Sequence, residues 1–348
     1  MEPIRFAILG VGQIGKRHAT IIDVHPECQL VALADVRPAK ITGGDQWPVP
    51  YFPDLETLLQ KGPDFDVLCI CTPNGLHAQQ ALRALDARHH VVIEKPMGLR
   101  RADCEQVIHQ SLTVSRQVFC VMQNRYSPPI RLLKDLIKEK KLGEIQLLQI
   151  HCFWNRDDRY YRLPDGSPHA WHGTANLDGG VLFTQFAHFI DILYWIFGDV
   201  DVIRTDLANF RHQHNTAFAD SGHVLFRLHQ GGLGNLSFST ATYDTNFESA
   251  ITVLGERGTI KIGGQYMNEV TYCHVADFDL PTLPPANPPN DYGPYQGSAA
   301  NHHFVIQNVV DVLQGRQEVT TNALEGMKVV DIIERMYAKA TVLHPAHH

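Results

Sequence analysis

The 348-residue chain has no C-x-x-C pair, no H-E-x-x-H run and no apolar stretch near the roughly 18 residues that a membrane helix needs. These absences argue against a zinc site and a membrane span. Seven cysteines, an odd number without paired spacing, suit a reducing compartment, and no disulfide is expected. Cys69 and Cys71 alternate within an apolar run and read as buried. A basic excess is also missing: Lys and Arg number 30 against 37 Asp and Glu, a net charge of -7. That balance disfavours a nucleic-acid partner but leaves room for a small anion held by a few local arginines. The 20 histidines include His89 with His90, His212 with His214, and His302 with His303. Adjacent strand residues point to opposite faces and none of these pairs has ligand spacing, so no metal is expected. Glu2 and Pro3 open the chain without a basic segment or cleavage signature, which makes the cytoplasm the expected location. His347 and His348 read as native or as a tag remnant.

What is present is ordered. Apolar content of 44% over 348 residues supplies two hydrophobic cores rather than one. The apolar run Ile4 to Leu9 feeds GVGQIG, in which Gly10 permits a tight turn, Gly12 admits a pyrophosphate to the backbone and Gly15 lets a helix pack on the strand. The free N–H groups of that helix start, at Gln13 and Ile14, face the phosphates. Asp35 follows Gly15 by 20 residues and closes a second apolar run, where a carboxylate binds ribose hydroxyls and repels a 2'-phosphate. NAD is therefore preferred to NADP, although Arg37 tempers that repulsion. Strands at about 4–9, 29–34, 66–71, 90–94 and 117–123 alternate with helices such as His77 to Ala87 and Ala102 to Ser111. The alternation predicts a parallel sheet with Gly10, Asp35, Thr72, Asn74, Glu94 and Lys95 at one edge. Pro73, His77 and Gln123 belong to the same candidate dinucleotide set.

The domain boundary is expected near Asn124, giving a dinucleotide-binding Rossmann domain over 1–124 and an α+β domain over 125–348. Prolines in QNRYSPP open a helix from about Ile130 to Lys141. Runs Ile145 to Trp154, Val200 to Phe210, His223 to His229, Leu233 to Thr242, Ala250 to Leu254 and Thr259 to Ile262 read as a large open, mostly antiparallel sheet. A helix from about Gly180 to Phe197, N-capped by Asp178, interrupts it, and helices at Asn301 to Leu313 and Ala323 to Thr341 follow. The proline-rich segment Leu280 to Pro294, with Tyr292 and Tyr295 nearby, reads as a substrate-facing loop, a subunit contact or a solvated loop.

GVGQIG, CTPN at Cys71 to Asn74, EKP at Glu94 to Pro96 and DGGVLFTQFAHFID together resemble the glucose-fructose oxidoreductase, inositol dehydrogenase and rhizopine-catabolism (Gfo/Idh/MocA) family over essentially the whole chain. The resemblance implies that Lys95 reaches the reacting carbinol and that His188 is catalytic. Many members carry Asp or Asn where this chain has Thr184, so the role of Thr184 is open. Thr184, His188 and Asp191 at i, i+4 and i+7 are expected to share one helix face. One branch, the UDP-N-acetylglucosaminuronate 3-dehydrogenases of lipopolysaccharide O-antigen pathways, is similar in QNRYSPPIRLLKDLI, FWNRDDRYYR and WHGTANLDGG. On that resemblance Arg125, Tyr126, Arg156, Tyr161, Trp171 and Thr184 join Lys95 and His188 as substrate residues. Arg156, Arg159 and Arg162 beside Tyr160 and Tyr161 suit a uronate carboxylate, a diphosphate and a uracil; ion pairing with Asp157 and Asp158 is the alternative.

Oxidising a secondary alcohol requires a base and a hydride acceptor. NAD accepts the hydride, and His188, with an unperturbed pKa of ~6.5, is a candidate base. Lys95 either hydrogen-bonds the same oxygen as an ammonium or, if buried, is itself the base. The resemblance also implies a homodimer or homotetramer and allows 2-oxoglutarate to reoxidise NADH. An inositol or free-hexose dehydrogenase and a non-catalytic NAD- and sugar-binding regulator are the competing readings.

Overall fold

The computed structural model describes residues 2–293 and 295–343; His347 and His348 lie outside the described residues. Two compact units result, one of residues 1–122 and 302–330, the other of 123–301 and 331 onward.

Unit 1 holds six parallel strands: β1 (Ile4–Leu9), β2 (Cys28–Ala34), β3 (Tyr51–Phe52), β4 (Val67–Ile70), β5 (His90–Ile93) and β6 (Val118–Cys120), ordered β3-β2-β1-β4-β5-β6. The order reverses between β1 and β4, the switch point at which such sheets bind ligands beyond their carboxyl ends. Phe6, Ile8, Leu68, Ile70, Val92 and Ile93 are buried in this sheet, as continuous apolar strands covered on both faces require. Helix Gln13–Val24 buries Gly15, His18, Ala19 and Ile22, the i, i+3, i+4, i+7 stripe that lays it on the strands. Helix Arg101–Val114 ends where Ser115 turns left-handed, with φ 53°.

The expected 1–124/125–348 division is therefore not a single cut. His302–Val330 belongs with unit 1. There, the β6 edge donates from Cys120 N–H to the Thr321 carbonyl at 3.0 Å, and Gly326 lies so close that a Cβ would stand 2.4 Å from Cys120 Sγ.

Unit 2 is built on an eight-stranded sheet of β7 (Ile145–Phe153), β8 (Val200–Ala208), β9 (Ser221–Leu228), β10 (Leu233–Ser239), β11 (Glu248–Gly255), β12 (Gly258–Gly263), β13 (Glu269–Val275) and β16 (Ala340–Leu343). A small ladder pairs β14 (Pro289–Asp291) with β15 (Gln296–Ala299). The large sheet runs β13-β12-β11-β7-β10-β9-β8-β16 and is mixed, since β10 with β7 and β16 with β8 are parallel. Alternation is plain in β9, where Val224, Phe226 and Leu228 are buried and His223, Leu225 and Arg227 are exposed. The apolar helix Ala187–Phe197 belongs to the same core: Phe189 meets Trp154 edge-on, with centroids 5.7 Å apart.

Four local expectations change. The helix expected over Gly180 to Phe197 is broken into Val181–Thr184 and Ala187–Phe197. Asp178 is not its cap: the first turn begins at Gly180, and Asp178 accepts instead from Gly173 N at 2.7 Å and from the Thr184 hydroxyl. The last helix stops at Ala338, and β16 takes up residues expected to be helical because β8 offers an unpaired edge. Cys69 is buried but Cys71, just past β4, is only half-buried, and all seven cysteines stand as thiols.

Candidate active site

In unit 1 the expected residues come together because parallel strands deliver their successors to the same edge. Gly10 adopts φ +91°, and a Cβ there would lie 2.6 Å from the Cys71 carbonyl oxygen. A Cβ on Gly15 would lie 1.9 Å from the Gly10 carbonyl, whereas at Gly12 nothing stands within 4 Å. The turn is thus closed at its two flanks and open at Gly12, the side where a pyrophosphate meets the helix start. Asp35 Oδ2 accepts from Val11 N at 2.8 Å, and the Arg37 guanidinium pairs with both carboxylate oxygens at 3.0 Å. Burial pushes the Asp35 carboxyl up, but these bonds outweigh it and hold it below the usual carboxylate range.

The next two motifs are tied together. Thr72 donates its hydroxyl to Gln80 Oε1 at 2.5 Å, Pro73 leads into the turn Asn74–Leu76, and Asn74 is buried. His77 spans 2.7 Å to the Pro96 carbonyl from Nδ1 and 2.7 Å to the Thr72 carbonyl from Nε2. Glu94 Oε2 accepts from Lys95 N at 3.2 Å, while Oε1 lies 2.9 Å from His18 Nε2 and 3.5 Å from His302 Nε2. The Lys95 side chain is half-buried.

In unit 2, Gln123, Asn124 and Arg125 are buried in the turn Gln123–Tyr126. Gln123 Nε2 stands 3.2 Å from His188 Nε2 and 3.4 Å from Ser298 Oγ. Arg125 forms a bidentate pair with Asp191 at 2.8 and 2.5 Å, and its guanidinium lies 5.2 Å from the Trp195 ring. Thr184, His188 and Asp191 consequently have different partners: Asp178, Gln123 and Arg125. Tyr126 stacks under Arg131, 5.2 Å away.

The arginine loop separates as well. Arg159 pairs with Asp157 at 2.7 Å, and Arg162 donates to Asn215 at 2.9 Å. Arg156 is buried and donates to the carbonyls of Asn155 and Gln296 and to Asn246 Oδ1. Its guanidinium lies 5.0, 5.5 and 4.8 Å from the rings of Trp154, Tyr160 and Tyr295. Burial pushes its pKa down. Arg156 thus ties the Tyr295 segment to the loop. Tyr161 is buried, and Trp171, His169, His172 and Tyr160 form a run of aromatic contacts 3.9 to 4.1 Å apart.

Sequence reasoning missed His18 and His302 at Glu94. His18 falls on the buried stripe of its helix, a readable signal. His302 lies far along the chain and offers no local one.

A glycine turn at the switch point of a parallel sheet, a carboxylate closing β2, and a second unit with a buried histidine define a dinucleotide-dependent oxidoreductase. The chain belongs to the Gfo/Idh/MocA family: residues 4–121 match its "Oxidoreductase family, NAD-binding Rossmann fold" domain and 130–261 its C-terminal domain. It is an NAD-binding oxidoreductase. Among solved structures it is similar to the WlbA dehydrogenase from Bordetella pertussis in complex with NADH and UDP-GlcNAcA, at 28% identity, covering 97% of this chain and 96% of that one, with a TM-score of 0.85. The WlbA dehydrogenase from Chromobacterium violaceum, also with NADH and UDP-GlcNAcA, gives 27% identity, 97% and 94% coverage and a TM-score of 0.86. Inositol 2-dehydrogenase from Rhizobium meliloti is 26% identical over 81% of each chain.

Proposed function

We propose that the protein oxidises the C3 hydroxyl of a UDP-N-acetylated glucuronic acid to the 3-keto sugar. The observation that carries this reading is the Gln123 amide against His188 at 3.2 Å. An amide nitrogen only donates, so His188 Nε2 carries no proton in this contact, and the sugar hydroxyl displaces the Gln123 amide to reach that lone pair. His188 takes the hydroxyl proton, and the C3 hydrogen leaves with its electron pair. NAD, when bound, supplies the acceptor for that hydride. Gly10, Gly12, Gly15 and Asp35 hold the dinucleotide, and the Lys95 ammonium donates to the sugar oxygen as alkoxide character develops. Lys95 as base is the variant of this scheme. Of the residues expected at the substrate, Tyr126 and Trp171 are proposed to contact it directly; Arg125, Arg156, Tyr161 and Thr184 support the walls, given their burial.

Likeness to two UDP-GlcNAcA-bound dehydrogenases over nearly the whole chain supports the substrate class. The reading places the protein in lipopolysaccharide O-antigen sugar synthesis in the cytoplasm, with 2-oxoglutarate as a second oxidant. Exposed Leu225 and Leu233 on the outer face of the large sheet support a homodimer or homotetramer. An inositol or free-hexose substrate is the second reading, favoured by the inositol 2-dehydrogenase likeness.

The test is absorbance of reduced nicotinamide with NAD and UDP-N-acetylglucosaminuronate, then with 2-oxoglutarate. Reduction that reverses on adding 2-oxoglutarate supports both steps. Reduction with inositol or a hexose alone overturns the nucleotide-sugar assignment, and dinucleotide binding without any reduction points to the regulator.

A further inference from the structure

Glu94 closes β5 and is only 6% exposed, yet it remains a carboxylate at the centre of a histidine cluster. His18 comes from the helix after the glycine turn and His302 from the start of helix His302–Leu313; each is 1% exposed, and their rings meet edge-on at 5.7 Å. Burial pushes the Glu94 carboxyl up, but the His18 hydrogen bond at 2.9 Å and the nearby His302 ring, with Nε2 at 3.5 Å, outweigh it and hold it well below the usual range. Burial pushes His302 down, opposed by Glu94. A lone buried carboxylate is costly, so the histidines are what keep this one in place.

That carboxylate does one further thing. Its Oε2 accepts the backbone N–H of Lys95, while His77 bonds the Pro96 carbonyl on the far side. The turn is thus fastened on both sides of the lysine side chain, at the Lys95 N–H and at the Pro96 carbonyl. We propose that His18 and His302, acting through Glu94, are positioning residues for the Lys95 ammonium. The proposal rests on the role of Lys95 given above. Without either histidine the carboxylate takes a proton or turns to another donor, and the Lys95 peptide is released. A shift of order 1 Å at a reacting group costs up to about 100-fold in rate.

The experiment compares His18→Leu, His18→Gln and His302→Leu with the wild type. Glutamine keeps an N–H donor of similar reach, so it separates the hydrogen bond from mere packing. Four readouts are taken: kcat, KM for NAD, the pH profile of kcat, and the rate at which an amine-reactive acylating reagent labels Lys95, followed by peptide mass spectrometry. The titratable groups facing Glu94 are His18, His302, His77, Lys95 and the thiols of Cys69 and Cys71, with Arg17 near His302.

We expect both leucine variants to lose about 10- to 100-fold in kcat, with a displaced pH profile, a KM for NAD close to wild type and a severalfold change in Lys95 labelling. His18→Gln recovers most of each. Folded leucine variants with unchanged kcat and labelling overturn the proposal, as does equal loss in His18→Gln and His18→Leu. The three donor atoms lie within 4.8 Å of one another, a spacing a divalent ion can bridge. One zinc per chain in the purified protein, lost in Glu94→Gln, would also overturn it, because a metal rather than hydrogen bonds would hold the cluster. If the wild type oxidises no sugar, the functional reading fails, whereas Lys95 labelling still tests the clamp.

Discussion

Gln123 Nε2 stands 3.2 Å from His188 Nε2, so the lone pair of that ring nitrogen accepts the amide N–H until a substrate hydroxyl displaces it. His188→Asn is expected to lower kcat by ~10²–10⁴, the usual contribution of a general base, while dinucleotide affinity measured by fluorescence titration stays the same. Gln123→Glu places an acceptor where a donor stood. It favours a protonated His188 and should move the acidic limb of the kcat profile to higher pH.

The glycine turn separates binding from folding. At Gly12 an added Cβ meets nothing within 4 Å, so Gly12→Ala should leave the melting temperature nearly unchanged and weaken NAD binding by filling the space a pyrophosphate needs. Gly15→Ala drives a Cβ to 1.9 Å from the Gly10 carbonyl and should destabilise the fold itself. Calorimetry beside NAD titration distinguishes the two; equal losses of stability would refute the assignment of Gly12.

Asp35 decides between dinucleotides. With Arg37 already paired to its oxygens at 3.0 Å, Asp35→Ser should remove the repulsion and leave the guanidinium for a 2'-phosphate. The ratio of kcat/KM for NAD to that for NADP is expected to fall at least tenfold, about 1.4 kcal/mol. An unchanged ratio would show that specificity lies elsewhere.

Arg125 and Asp191 are each about 1% exposed and bonded at 2.5 and 2.8 Å. Arg125→Leu leaves a buried carboxylate without this partner and should cost about 3–5 kcal/mol, whereas Arg125→Met with Asp191→Leu should recover much of it. Urea unfolding of the single and double variants measures the difference.

His172, stacked on Tyr160 and His169, is pushed down to about 3 by burial, then by the charges of His169 and Arg156, with the Tyr160 carbonyl opposing. Its folded pKa lies below the unfolded value of ~6.5, so the unfolded chain binds the extra proton. The stability it contributes is full above pH 6.5 and declines as pH falls from there toward 3. His172→Phe should flatten that part of the urea midpoint against pH; an unaltered slope would assign it to other groups.

The sequence by itself determined the parallel sheet, the glycine turn and the residues on its carboxyl edge. Those follow from local rules: apolar runs of strand length, a turn that only glycine fits, and the identity of the residue after each strand. It also pointed to Lys95 and His188 through motif resemblance. Only tertiary structure decided that Arg125 answers Asp191, that Asp178 answers Thr184, and that Arg156 stacks among aromatic rings. The return of His302–Val330 to unit 1 was equally hidden. Helical spacing put Thr184, His188 and Asp191 on one face, but the break at Gln185 and Phe186 gave each a separate partner. Buried polar groups must find partners wherever the folded chain brings them, and neither composition nor periodicity encodes which distant segment that is. His18 and His302, meeting at Glu94 from two helices, are the clearest case.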